Sequence, residues 1–465
     1  MPIQRDALFA QLPPEWPVSL LPLIQSHVRK GAKVIVLDDD PTGTQTVHDV
    51  PVLTHWSIAA LVDELARPEA VAYILTNSRA VSAAEARAMN LEIAGALRAA
   101  SEITGREIAV VSRSDSTLRG HYAVETQALI EALGTPVDGV LVIPFFLEGG
   151  RYTVEDVHYV DEGGLLVPAA ETESARDPVF GYASSDLRRW VAEKVGDGLT
   201  SDQVASISLA DLRVGGPRLV EMRLSQLSDA QPCVVNAVSY RDLEVLVAAV
   251  LASEAQRRRY LYRTASSFVR VRGGLDPAPL LTATDFDQRS GGLVVAGSFV
   301  GRTTAQIEAA ALLPHVVSLE LDAAGLLGDG AERAVSQVRA AAVVAMEAGH
   351  DALVYTSRQL ITADTVDNSL NAGQRISAAL VRLVSGLERR PAWIIGKGGI
   401  TSSDLATGAL GIRRAWVRGQ AIPGVPVWRT GPESRWPDLD YVVFPGNVGG
   451  PGALAEMISL LRGAS

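Results

Sequence analysis

The stretch Lys33 to Gly43, KVIVLDDDPTG, constrains the fold more than any other, because a short apolar run ends in three adjacent carboxylates and a proline-containing turn. Val34, Ile35, Val36 and Leu37 show no alternation of polar and apolar side chains, the pattern of a parallel strand buried on both faces. Asp40-Pro41-Thr42-Gly43 fits a type I turn, with Asp first, Pro second and Gly last. The carboxylates therefore fall at the carboxyl end of a buried strand, where open α/β sheets place their ligand crevices. One aspartate there would read as a turn or capping residue. Three in succession weigh toward a site.

At 465 residues the chain exceeds what one hydrophobic core supports, so two or three domains are expected. Hydrophobic residues make up 47% and charged residues 20%, which leaves ample core and argues against long disordered tracts. Cys233 is the only cysteine, so neither a disulfide framework nor a thiolate metal cluster is expected, and the cytoplasm is the expected compartment. The opening residues MPIQRDALFAQLPPEWP carry acids and prolines where a secretory leader needs a basic start and an apolar stretch. No apolar run approaches the ~20 residues of a membrane span. A net charge of −11 argues against a nucleic-acid partner, since that surface needs clustered Lys and Arg.

Val71–Leu75 reads as a second strand, and Ser82 with Glu85 has capping-box spacing ahead of a helix to about Ala100. A strand at Glu107–Val111, the loop SRSDSTLRG, a helix from Tyr122 to Leu133 and a strand at Gly139–Phe145 follow. This βαβαβ order implies a mostly parallel sheet that brings Asp38–Asp40, Thr76–Arg79 and Ser112–Arg119 to one edge. Glu148–Thr172 reads as short extended pieces forming a hairpin flap. Pro, Gly and Asp without periodicity mark a linker between about Pro277 and Gly292, with helical stretches dominating just before it.

The second half repeats one pattern: apolar strand, glycine-containing turn, helix start. It occurs from Leu293 (LVVAGSFVGRTTAQIEAA), from Trp393 (WIIGKGGITSSDLA) and from Tyr441 (YVVFPGNVGGPGALAEMI). Glycines let backbone amides approach an anion, and helix N-termini add partial positive charge, so a nucleotide's phosphates would fit. No copy matches the Walker P-loop or the Rossmann fingerprint, and no G-x-S-x-G elbow occurs. The histidines, at 27, 48, 55, 121, 158, 315 and 350, show no zinc-binding spacing; His48 and His121 lie close in sequence to the acidic loops.

Asp39, Asp40, Arg79, Asp115 and Arg119 thus converge at strand ends of the first half. The aspartates suit accepting a hydrogen bond or a proton from a hydroxyl, and Arg119 suits a planar carboxylate. The plainer reading of SDSTLRG is a helix N-cap with a surface ion pair. Hydroxyls and a carboxylate held in one half, phosphates in the other and a cleft between them point to phosphoryl transfer, with closure excluding water.

The motifs Asp39-Asp40-Pro41-Thr42-Gly43, Thr76-Asn77-Ser78-Arg79, Asp115-Ser116-Thr117-Leu118-Arg119-Gly120, Gly297-Ser298, Gly398-Gly399-Ile400-Thr401 and Pro445-Gly446-Asn447 resemble those of the four-carbon acid sugar kinases, over nearly the whole chain. The resemblance implies a two-domain α/β protein, each domain a mostly parallel sheet with flanking helices and the active site in the interdomain cleft. Residues 1–32 would be an N-terminal extension, 33–276 an acid-sugar-binding domain, 277–292 a linker and 293–465 a nucleotide-binding domain. It implies ATP contacts at Ser298, Gly398, Gly399, Ile400, Thr401, Gly446 and Asn447. Acid-sugar contacts would come from Thr42, Gly43, Arg79, Asp115, Ser116, Thr117 and Arg119 beside the catalytic Asp39 and Asp40. Pro41 stands where many members have an aromatic residue, and Ile400 replaces the glutamate of the family's Gly-Gly-Glu-Thr.

The expected activity is ATP- and Mg²⁺-dependent phosphorylation of the terminal (C4) hydroxyl of a short acid sugar such as threonate, erythronate or a 3-oxo-tetronate. Asp39 or Asp40 would orient or deprotonate the hydroxyl, and the Mg²⁺ ligands are left unassigned. Lys397 is either a neutraliser of the transferring phosphoryl or a solvated turn lysine. Acid-sugar and nucleotide binding without turnover is the alternative, and an oxidoreductase lacks its fingerprint. Partners are the small-molecule acid and ATP, with no nucleic acid and no membrane; the sequence leaves a homo-oligomer open.

Overall fold

A computed structural model describes residues 2–297, 301–328, 330–357, 366–446 and 448–463, with backbone alone over 366–372. The chain divides into two compact units, one of residues 1–47 and 55–277, the other of 48–54 and 278–465.

The parallel sheet of the first unit contains β1 (Lys33–Asp38), β2 (Val71–Leu75), β3 (Ile108–Arg113), β4 (Gly139–Ile143), β5 (Ala205–Ile207), β6 (Gln231–Val235) and β7 (Tyr260–Thr264). Its order is β5-β6-β4-β7-β3-β1-β2. All six residues of β1 are buried, as a strand covered by helices on both faces requires. The chain leaves β1 for β2 on one side and returns to β3 on the other, so the carboxyl end of β1 is a topological switch point. Asp38 stands level with Leu75 and Arg113, and Arg113 with Thr264. The helix after β2 is Ala83–Thr104, opened by the Ser82–Glu85 capping box and closed by Gly105 at φ 66°.

β5, β6 and β7 lie in the stretch expected to be mainly helical. They are short, and their polar or aromatic residues (Ser206, Gln231, Tyr260, Arg263) blur the apolar run that identifies a buried strand. The flap is an antiparallel sheet of Arg151–Val154, Val157–Glu162 and Leu165–Pro168, with Glu155 and Asp156 in the left-handed region as a two-residue hairpin turn demands. Residues before Lys33 are stitched into this unit rather than standing apart. Ile3–Gln4 adds an edge strand beside Leu165–Leu166, Ile24 and Val28 are buried, and Glu244 accepts from Ser19 Oγ and the Leu20 amide at 2.8 and 2.7 Å.

The second unit holds β8 (Leu293–Ala296), β9 (Val316–Leu321), β10 (Asp351–Thr356), β11 (Trp393–Lys397), β12 (Arg414–Ile422), β13 (Val425–Thr430) and β14 (Asp440–Phe444). From β9 the order runs β9-β10-β8-β11-β14-β13-β12, parallel as far as β14 and antiparallel beyond. β12 is flanked on its other side by Val50–Leu53, antiparallel to Arg414–Val417, a segment the sequence had assigned wholly to the first half. The expected linker also belongs here: Leu281 N donates to Gln420 O at 2.7 Å, and Phe286 is buried in the core with Val294 and Val427. Among the described residues no helix is long and apolar enough to cross a membrane.

At the start of β1, Lys33 Nζ donates to Glu64 Oε1 at 2.8 Å with both side chains buried. Removing one member leaves a buried charge alone, whereas removing both leaves an apolar gap. Lys33→Met is therefore expected to lower unfolding stability by about 3–5 kcal/mol, and Lys33→Met with Glu64→Leu to recover most of it, read by denaturant titration.

Candidate functional site

Asp38, Asp39 and Asp40 leave the end of β1 in three directions. Asp38 is buried, and Arg113 Nη1 donates to its Oδ1 at 3.0 Å. Burial pushes the Asp38 carboxyl up to about 7, against the pull of Arg113. Its carboxylate fills the space beside Gly43, where a Cβ would sit 2.0 Å from Asp38 Oδ2. Glycine at 43 is thus demanded by close approach, and the turn expected there is present, with Gly43 N donating to Asp40 O at 3.0 Å.

Asp39 points at Arg79 Nη2, 3.4 Å from its Oδ1, and its Oδ2 accepts from Ser114 Oγ. Burial raises the Asp39 carboxyl, while Arg79 and Arg113 pull it down. Asp40 Oδ1 caps the following turn through the Thr42 amide at 2.8 Å, and its Oδ2 lies 2.7 Å from Arg79 Nη2. Burial would raise Asp40 too, but Arg79 and the Thr42 contacts outweigh it and hold it below the usual carboxylate range. The other terminal nitrogen of Arg79 lies 3.7 Å from Asp115 Oδ2. One guanidinium therefore gathers Asp39, Asp40 and Asp115, which come from two strand ends, and burial's tendency to lower its pKa is overcome by these acids.

Asp115 is bonded within its own loop, accepting from Thr117 Oγ1 and, at 2.6 Å, from Arg119 Nε. It is held well below the carboxylate range because Arg119 and Arg79 outweigh its burial. Arg119 also has Asp177 at 3.9 Å. Asp115 is not a helix cap: the next helix begins at Tyr122 with His121 at its N-cap. The loop carbonyls are tied to the flap and its neighbour. His158 Nε2 donates to Ser116 O at 2.8 Å and Tyr182 OH to Thr117 O at 2.9 Å. His158 is fully buried, and burial lowers its pKa to about 4.

A layer the motifs did not single out supports these groups. Arg263, at the end of β7, donates to Ser112 at 2.8 Å, to Ser114 at 2.7 Å and to Glu125, which accepts from Ser78. Gly120, at φ 122°, leaves room for it, since a Cβ there would lie 2.6 Å from Ser114 Oγ. An arginine inside the strand YLYRT was the available signal, because charges are rarely buried unpaired. His121 donates to Val81 O at 3.0 Å and packs edge-on to Phe180, while His48 pairs with Asp49; neither joins the arginine cluster.

In the second unit Gly297, Gly398 and Gly446 follow β8, β11 and β14 at the carboxyl ends of three adjacent parallel strands, with the switch point between β8 and β11. Gly398, at φ 104°, precedes the helix Gly399–Asp404, whose first turn has no side-chain cap. Gly297 abuts Thr401, where a Cβ would lie 2.8 Å from Thr401 Oγ1. Gln306 Nε2 donates to Val448 O and Gly450 O at 2.9 and 3.0 Å, and Thr303 Oγ1 to Gly446 O at 3.5 Å, which fixes the third turn. Ile400 is exposed. Ser298 and Asn447 lie outside the described residues. Lys397 is neither a solvated turn residue nor a free cation: it ends β11 fully buried, donating to Pro445 O at 2.6 Å over the Phe444 ring. Among the described residues no three His, Cys, Asp or Glu side chains are grouped to hold a metal ion.

A family profile described as "Sugar-binding N-terminal domain" matches residues 34–272, and one described as "Nucleotide-binding C-terminal domain" matches 293–454. A D-threonate kinase of Salmonella typhimurium is 26% identical over 442 residues, covering 92% of this chain and 97% of its own. A D-erythronate kinase of Heliobacterium modesticaldum is 26% identical over 226 residues, 46% of this chain and 47% of its own. A Haemophilus influenzae protein of known crystal structure shares the fold at TM-score 0.62 and 19% identity, over 92% of this chain and 99% of that one.

His158 is kept neutral by burial, so the unfolded chain binds the extra proton between its ordinary pKa of 6.5 and about 4. Stability is thus lost as pH falls through that window, by about 1.4 kcal/mol per pH unit. Asp38, raised to about 7, acts in the opposite sense. The His158 contribution is therefore the difference between wild type and His158→Gln, expected to shrink from pH 6.5 toward pH 4 in chemical unfolding.

Proposed function

The chain belongs to the four-carbon acid sugar kinase family, and we propose that it transfers the terminal phosphoryl group of ATP to the C4 hydroxyl of a short acid sugar such as threonate, erythronate or a 3-oxo-tetronate. The observation that carries this reading is the convergence of Asp39, Asp40 and Asp115 on Arg79 at the switch point of the first unit. Such a cluster offers charged acceptors for hydroxyls, held in place before any ligand arrives. The names of the two kinase relatives support the same substrate class.

Asp40 is the residue best suited to take the acceptor hydroxyl, its side chain being 20% exposed against 3% for Asp39. Arg79 keeps Asp40 charged, so it serves mainly to orient the hydroxyl. That is sufficient where the transition state is loose and the proton leaves late. Asp39 and Ser114 hold Arg79 and the loop in position. Arg119 has its Nε taken by Asp115 and its Nη1 3.9 Å from Asp177, which leaves Nη2 for a carboxylate.

ATP phosphates suit the uncapped helix start at Gly398–Thr401, which supplies backbone N–H groups without a competing side chain, with Gly446 at the end of the neighbouring strand. Mg²⁺ would arrive on the phosphates with water completing its shell, where it would offset their charge.

A coupled ADP-release assay with ATP and Mg²⁺ against four- to six-carbon aldonates and their 3-oxo forms tests this. Turnover on at least one acid is expected, and Asp40→Asn should lower kcat by about 10²–10⁴ while leaving thermal unfolding near wild type. ATP binding by calorimetry without ADP release on any acid would replace the kinase with a non-catalytic binding protein.

A further inference from the structure

Arg151 opens the first strand of the flap, two residues before Thr153 on the same face, because side chains alternate along a strand. The direction of that face is set by its neighbour. Thr153 stands opposite His158 in register, its hydroxyl donates to His158 Nδ1 at 3.0 Å, and His158 Nε2 donates to Ser116 O. Arg151 therefore faces the Asp115–Arg119 loop. The charges acting most strongly on it are Asp115 and Arg119, ahead of Asp161 and Glu162.

Its guanidinium nevertheless makes no hydrogen bond or ion pair among the described residues, and its Nε is buried. Asp115 and Asp161, the two acids that act on it most strongly, are committed elsewhere. Asp115 accepts from Thr117 and Arg119, and Asp161 from Arg5 at 2.9 Å and the Gly164 amide at 2.6 Å. A half-buried arginine whose two strongest acids are taken, facing the loop that carries a second arginine, is poorly solvated and adds repulsion. An anion between the two would relieve both costs. Burial also pulls the Arg151 guanidinium below the usual arginine range, the sign of a cation short of a counter-charge.

We propose that Arg151 and Nη2 of Arg119, the terminal nitrogen not facing Asp177, together form the seat for the carboxylate of the acid acceptor, so that the flap selects acids over neutral polyols. The inference rests on the acid-sugar reading above. It adds a residue outside the recognised motifs and assigns the flap to substrate choice.

The test uses the full-length protein, Arg151→Met and Arg151→Lys, with threonate and erythronate compared against threitol and erythritol, which lack the carboxylate. In Arg151→Met the affinity for the acids, by calorimetry, should fall about ten- to hundred-fold, the worth of a charge-assisted hydrogen bond. Its affinity for ATP should be unchanged, and its preference for acid over polyol should collapse. Arg151→Lys should keep part of that preference. Without ligand, Arg151→Met should melt no lower than wild type, since it removes an unpaired cation. Acid affinity equal to wild type in Arg151→Met would overturn the proposal. So would a lower melting temperature together with weakened ATP binding, which would make Arg151 structural. Wild type that binds ATP but none of the acids would instead overturn the acid-sugar reading, and the proposal with it.

Discussion

Burying consecutive carboxylates at the end of a strand whose middle is apolar is unfavourable unless cations are buried with them. In the first unit those cations are arginines. Arg113 comes from β3 and takes Asp38, while Arg79, from the loop after β2, takes Asp39 and Asp40. Arg263 from β7 extends the network to Glu125 and Ser114. Each arginine can be supplied only if its strand lies in the right place in the sheet, so the charges and the strand order specify one another. The cluster is consequently rigid before any ligand binds, and rigidity is what a positioning site requires.

Much of this was legible from residues alone, for identifiable reasons. β1 and β2 carry unbroken apolar runs, and Ser82 with Glu85 marks a helix start by its capping chemistry. What stayed hidden depends on contacts remote in sequence. β5 is three residues long and β7 carries an arginine, so neither has a local signature strong enough to outweigh the helices beside it. The arginines of the inner layer were hidden for the same reason: Arg263 meets Glu125 138 positions away, and nothing in either segment announces the other. Lys397 shows the converse. A lysine before two glycines looks exposed, yet Pro445 O and the Phe444 ring from the neighbouring strand enclose it.

The two units meet different chemical demands with the same architectural device. Each places its candidate ligand groups at the carboxyl ends of parallel strands around a switch point. In the first unit those groups are charged side chains, suited to hydroxyls and a carboxylate. In the second they are glycines and a helix start, suited to phosphates whose charge is spread over several oxygens. Ile400 fits this division, because a turn that works through backbone amides tolerates an apolar side chain pointing outward.

The short strand Val50–Leu53 carries a consequence for how such a protein can change over evolutionary time. It pairs with β12 of the second unit, yet in sequence it lies between β1 and β2 of the first unit. The chain thus enters the second unit, returns, and enters it again, so no single cut separates the two. A gene fusion that exchanged only the carboxy-terminal half would deliver a sheet with β12 unpaired along one side, an invitation to intermolecular strand pairing. The two units are therefore bound to be inherited together, and the chain is more readily altered by substitutions on its loops than by swapping one unit for another.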